Sequence, residues 1–192
     1  MSTLPMILER TSRGDRMLDV YSRLFMERNV FLVGPIEQFI ATDIIAQMLY
    51  LESQNSDADI NLYIASGGGE VTAGLSIIST MRRLKCNVST ICLSQSASMA
   101  AVILSSGTRG KRFATEFGEI MIHQVKSSVG WSIQTADINI QAERVNELNY
   151  TLTKIIADNC RRDFNEVLKD MDRDNFMTSK CALEYGLIDK VI

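Results

Sequence analysis

The stretch from Leu93 to Gly107, LSQSASMAAVILSSG, sets Ser94, Ser96 and Ser98 just ahead of an apolar run. Each of these serines is a plausible helix N-cap. One of them could instead serve as a nucleophile held at a strand-to-helix turn. Acyl transfer by serine needs a base, an acid that orients the base, and amide donors for the developing oxyanion. The chain has a single histidine, His123, at the end of the apolar segment EIMIHQ. A glycine run, Gly67 to Gly69, closes another apolar segment, INLYIAS. Taken singly, these signals read as a cap, a structural histidine and a tight turn. Together they supply most of one hydrolytic site.

The elements that must position them follow from periodicity. Leu18, Tyr21, Leu24 and Phe25 recur at helical spacing and predict an amphipathic helix over roughly residues 15–27. NVFLVG, INLYIAS, NVSTICLS and EIMIHQ read as strands. IEQFIATDIIAQMLYLES reads as a helix, and so does the segment carrying Val71, Leu75, Ile78 and Met81. Strand and helix alternate with short connections, which predicts βαβ units and a mainly parallel sheet under covering helices. In parallel sheets, sites gather at the carboxyl ends of the strands. The Met99 amide at the start of a helix, Gly68 in its turn and His123 can therefore meet on one edge. From about Ile133 to Arg161 there is no Gly or Pro. A helix of about 28 residues would run about 42 Å. A domain of this size has a radius of gyration of about 16 Å, so such a helix spans the domain or projects from it. The C-terminal segment NFMTSKCALEYGLIDKVI predicts a turn, a short helix stopped at Gly186 and a last strand. No repeat or linker divides the 192 residues, so one domain is expected.

Composition narrows the class. Hydrophobic residues make up 46% and charged residues 22%, an ordinary globular balance. The net charge of −3 argues against nucleic-acid binding. Cys86, Cys92, Cys160 and Cys181 form no CxxC pair, so neither a zinc site nor a redox motif is expected. Scattered cysteines and an opening segment without an apolar stretch point to a cytoplasmic protein that does not enter a membrane.

SGGGEVTAG, QSASMA, MIHQ and MDRDNFMTSKCALEYGLID, in this order, resemble the motifs of the Clp protease proteolytic subunits, the ClpP family. RGDRMLDVYSRL resembles that family's N-terminal segment, and the resemblance runs from about Leu4 to Ile192. It implies an α/β fold of stacked ββα units of the ClpP/crotonase type. It implies an axial segment over about residues 1–17 and a protruding handle over about 125–161, by which two seven-membered rings stack into a chamber. It implies a serine endopeptidase that degrades unfolded proteins to short peptides. Ser98 matches the nucleophile, His123 the base and Asp174 the orienting acid. Asp172, two residues away, is the alternative acid. Gly68 and Met99 match the oxyanion donors, while Asp172 and Arg173 match an inter-ring ion pair. Tyr63 matches a pocket that receives loops of an AAA+ ATPase of the Clp type. No cofactor or metal is implied, because ATP is used by the partner.

The chain departs from the family pattern around the site. ASGGG stands where the family shows NSPGG, with Ala65 for Asn and Gly67 for Pro. Ala100 follows the motif methionine where the family has Gly. VKSSVGW follows HQ where the family has Pro and then a Gly pair, and it is about two residues longer. These changes imply a divergent paralogue with lowered or conditional activity, in rings of its own copies or in mixed rings with a second ClpP. Two other readings compete: an inert ring subunit, and a crotonase-type acyl-CoA enzyme, a class that usually relies on carboxylates.

Overall fold

The computed structural model describes residues 5–11, 14–127 and 134–192. The chain opens with an antiparallel hairpin, β1 (Met6–Thr11) and β2 (Gly14–Asp19). The helix expected over residues 15–27 therefore begins late, as α1 (Val20–Met26). Leu18, which recurs in helical register with Tyr21, instead pairs with Ile7 across the hairpin. Asp19 marks the boundary: its carboxylate accepts the Ser22 N–H at 3.0 Å and caps the helix.

The strands β3 (Asn29–Val33), β4 (Ile60–Ser66) and β5 (Val88–Ala97) lie parallel and adjacent. The helices α2 (Gln38–Gln54) and α3 (Val71–Arg83) make the crossovers between them. β4 alternates buried and half-buried residues, with Ile60, Leu62 and Ile64 fully inside. Next comes α4 (Met99–Ser105), buried along its whole length. A helix apolar all round belongs in the middle of a core. It packs on β5 and against α5 (Thr135–Cys160).

The ten-residue β5 serves two partners. Its first half pairs with β6 (Arg112–Ala114), and its end, Gln95–Ala97, pairs with β7 (Glu119–Ile122). This fork carries the chain past the serines and sets the end of β7 beside them. After α6 (Phe164–Asp170) comes β8 (Asn175–Thr178), antiparallel to β7 with Ile122 opposite Asn175. β8 lies where the sequence predicts only a turn. The helix α7 (Ser179–Tyr185) ends at Gly186 in the left-handed conformation, as expected, and β9 (Lys190–Val191) adds to β6. The fold is the mixed α/β arrangement with a mostly parallel sheet that the resemblance implies. Among the described residues, no helix is long and apolar enough to cross a membrane.

The 26 residues of α5 extend for about 39 Å. Its first half stands off the domain, leaving Ile138 and Ile140 exposed, while Leu152, Ile155 and Ile156 are buried. A polar knot anchors the buried half. The Arg112 guanidinium donates to both oxygens of Asp189, at 2.6 and 2.9 Å. It also donates to the carbonyls of Ser105 and Asn159. This joins β6, α4, α5 and the approach to β9. Arg112 is 4% exposed, so its charge depends on that forked partner. Burial raises the Asp189 carboxyl, but the contacts from Arg112 and the Gly110 amide outweigh it and hold the group below its ordinary range. Asp189→Asn is expected to cost about 3 kcal/mol, because it leaves a buried cation uncompensated. A carboxylate with a depressed folded-state pKa contributes stability above its unfolded value, about 3.9. That contribution disappears as pH falls through the folded value. Urea unfolding should therefore separate variant from parent at neutral pH, and the gap should narrow in acid.

Candidate active site

The site forms where β5 gives way to α4. The strand runs on to Ala97, so Ser94 and Ser96 are strand residues and neither begins the helix. Ser96 is fully buried, and its hydroxyl has no hydrogen-bond partner among the described residues. Ser98 occupies the cap position of α4, yet its side chain caps nothing. Its backbone takes φ 56° and ψ −125°, a conformation that L-residues rarely adopt and that stores strain. The Ser98 N–H donates to the Met121 carbonyl at 2.8 Å, which pins this elbow to β7. The hydroxyl is thereby turned to His123, with Oγ 2.7 Å from Nε2.

His123 directly follows β7, and Asp174 directly precedes β8. The antiparallel register brings the two together, with Nδ1 3.0 Å from Asp174 Oδ1. A carboxylate only accepts, so Nδ1 carries the ring proton and Nε2 accepts from Ser98. Burial lowers the His123 pKa, the nearby Lys126 ammonium lowers it further, and Asp174 acts the other way. Asp174 lies below its ordinary value chiefly through its hydrogen bond with Lys126. Burial and Lys126 thus favour the neutral imidazole, the form a general base needs.

The glycine turn holds Gly68 and Gly69 in different ways. Gly68 was the expected donor, but its N–H donates to Ser66 Oγ at 3.1 Å and its carbonyl accepts the Ile36 N–H at 2.9 Å. Gly68 also backs Ser98: a Cβ there would sit 2.7 Å from the Ser98 Cβ. Its neighbour Gly69 lines the pocket beside Ser98, and its N–H has no partner among the described residues. A Cβ on Gly69 would approach the Ile36 carbonyl oxygen to 2.2 Å, so the position admits only glycine. Met99, as the first residue of α4, has no intrahelical acceptor for its N–H.

Around these groups lies a pocket with apolar walls from Val71, Val102, Val125, Leu152, Ile156 and Met171. The Asn149 side chain accepts the Val125 N–H at 3.1 Å and ties the segment after β7 to α5. The alternative acid, Asp172, does not reach His123. Its carbonyl and carboxylate accept from the Gln124 amide at 2.6 and 3.4 Å. Its other oxygen lies 3.7 Å from Arg173, and both side chains are exposed. Tyr63 is half-buried on β4 and stacks on Phe31 at 5.2 Å. Tyr21 meets Phe31 edge-on, and these rings adjoin a surface groove lined by Tyr21, Phe25, Phe31 and Ile40. The segment expected to pair rings lies partly outside the described residues, as do residues 1–4 and 12–13 of the axial segment.

The sequence signals for Gly69 and Lys126 were faint. Three glycines in a row do not reveal which amide is free, and a lysine three residues beyond a histidine is unremarkable on its own. Geometry and sequence converge on a peptidase: the family model described as Clp protease matches residues 12–192, and the chain belongs to that family.

Proposed function

We propose that this chain is a serine endopeptidase subunit in which Ser98 attacks, His123 transfers the proton and Asp174 orients the imidazole. The observation that carries the reading is the unbroken run of contacts from Ser98 Oγ through His123 to Asp174, at 2.7 and 3.0 Å. Ser98 Oγ forms a bond to the scissile carbonyl carbon as His123 Nε2 takes its proton. The amides of Gly69 and Met99 receive the oxyanion. His123 then gives the proton to the leaving amine as the C–N bond breaks. A water molecule repeats the sequence on the acyl-enzyme. Three side chains and two amides carry these steps, so no cofactor enters them. The apolar pocket next to Ser98 suits an apolar substrate side chain.

Enclosure is the second part of the proposal. The exposed half of α5 offers an apolar stripe to a second copy, in keeping with two stacked seven-membered rings. The groove beside Tyr63 and Phe31 suits apolar loops of a Clp-type AAA+ ATPase, which would spend the ATP and feed unfolded chains inward. Asp172 and Arg173, both exposed beside the site, would pair with a facing ring.

A fluorophosphonate probe tests the chemistry, and sedimentation of the purified particle tests the enclosure. The expected results are one covalent adduct on Ser98 and a particle of fourteen subunits. A fully assembled particle whose Ser98 resists the probe would make the chain an inert ring subunit. If labelling appears only after a second ClpP-type chain is added, mixed rings are the working form.

A further inference from the structure

Asp174 faces two cations rather than one. Lys126 Nζ lies 3.0 Å from Asp174 Oδ1 and 3.3 Å from Oδ2. The Oδ1 atom is the same one that accepts from His123 Nδ1. The carboxylate that orients the base is thus shared with an ammonium. The two partners differ in their surroundings: the His123 side chain is 9% exposed and the Lys126 side chain 66% exposed. Lys126 can therefore be changed without opening the core.

We propose that Lys126 is a positioning residue that acts through Asp174 by discounting its charge, so that His123 keeps its base form in mildly acidic conditions. This rests on the Ser98–His123–Asp174 reading. An unshared carboxylate favours the imidazolium, whereas one already paired with an ammonium favours it less. The charged groups acting on His123 are Lys126 and Asp174. The other elements around the ring present neutral groups: Ser98 at the elbow, Leu152 and Ile156 on α5, and Met171 after α6. Asp172 turns its carboxylate to Gln124. Burial and Lys126 both lower the His123 pKa, in the direction the proposal requires.

The single histidine makes the test direct. With ¹³C-labelled histidine in the assembled, untagged chain, one NMR signal reports the His123 titration and needs no turnover. In Lys126→Met the midpoint is expected to move up. In Lys126→Arg it should overlay the parent, and in Asp174→Asn it should move down. Peptide cleavage by Lys126→Met should fall about two- to fivefold in kcat/KM near pH 6, the size that exposed ion-pair couplings reach. Near pH 8 it should match the parent within about twofold, since His123 is then already the base in both. A lysine that merely braced Asp174 would give the opposite result: the carboxylate would drift, the midpoint would fall and activity would drop at every pH. If Lys126→Met fails to raise the midpoint while Asp174→Asn lowers it, the role of Lys126 is overturned and the triad reading stands. A midpoint indifferent to Asp174→Asn overturns both.

Discussion

Ser98→Ala is expected to cut peptide turnover by about 10⁶-fold, the scale on which removing a serine nucleophile acts. Nothing else at the site should change. Alanine keeps the Cβ that packs against Gly68, so the contact behind the elbow survives. It also keeps the strain of the positive φ, because serine and alanine meet the same backbone restrictions. The apolar pocket is untouched, so substrate binding should persist while kcat falls. The fluorophosphonate adduct should vanish with the activity. Initial rates on a short peptide, with probe labelling and sedimentation on the same preparation, check all of this. An alanine variant within about tenfold of the parent would place the nucleophile elsewhere.

Why the chemistry was partly legible in the sequence follows from particular residues. The alternation in INLYIAS reflects burial, and the period of Val71, Leu75 and Ile78 reflects a face half-buried at Val71 and Leu75 and buried at Ile78, so β4 and α3 form where expected. The long helix was visible for lack of any breaker, and it runs from Thr135 to Cys160. The hairpin at the start was hidden because a pairing between Leu18 and Ile7 leaves no local periodicity. The three residues of β6 and four of β8 are too short to show a period, yet β8 is what brings Asp174 to His123. Among the three serines, only Ser98 leaves the strand, with a positive φ that no sequence pattern announces. In the glycine run the sequence does not show which amide is already engaged. Ser66 Oγ claims the Gly68 amide, and the Ile36 backbone crowds Gly69. The Ile36 contact comes from far along the chain, so no local pattern reveals it.

Asp174→Asn is expected to lower kcat by about 10⁴-fold while Asp172→Asn leaves it within a few-fold of the parent. The two carboxylates are two residues apart but do different work. Asp174 accepts from His123 Nδ1 at 3.0 Å, which keeps Nε2 open for the Ser98 hydroxyl. An asparagine there can present its NH₂ to the ring, which favours the tautomer with Nδ1 unprotonated and Nε2 as donor. Ser98 then loses its base. The amide also removes the negative charge that stabilises the imidazolium formed as Ser98 attacks. Asp172 has no such contact, since its oxygens face Gln124 and Arg173. On the proposed ring reading its loss should weaken stacking, so Asp172→Asn should shift the particle towards single rings, while Asp174→Asn keeps the parent's mass. Kinetics at pH 8 and sedimentation on both variants separate the two roles. A dead Asp172→Asn beside a normal Asp174→Asn would exchange the assignments. It would also mean that the segment between α6 and β8 rearranges in the working particle, since Asp172 must then replace Asp174 at His123.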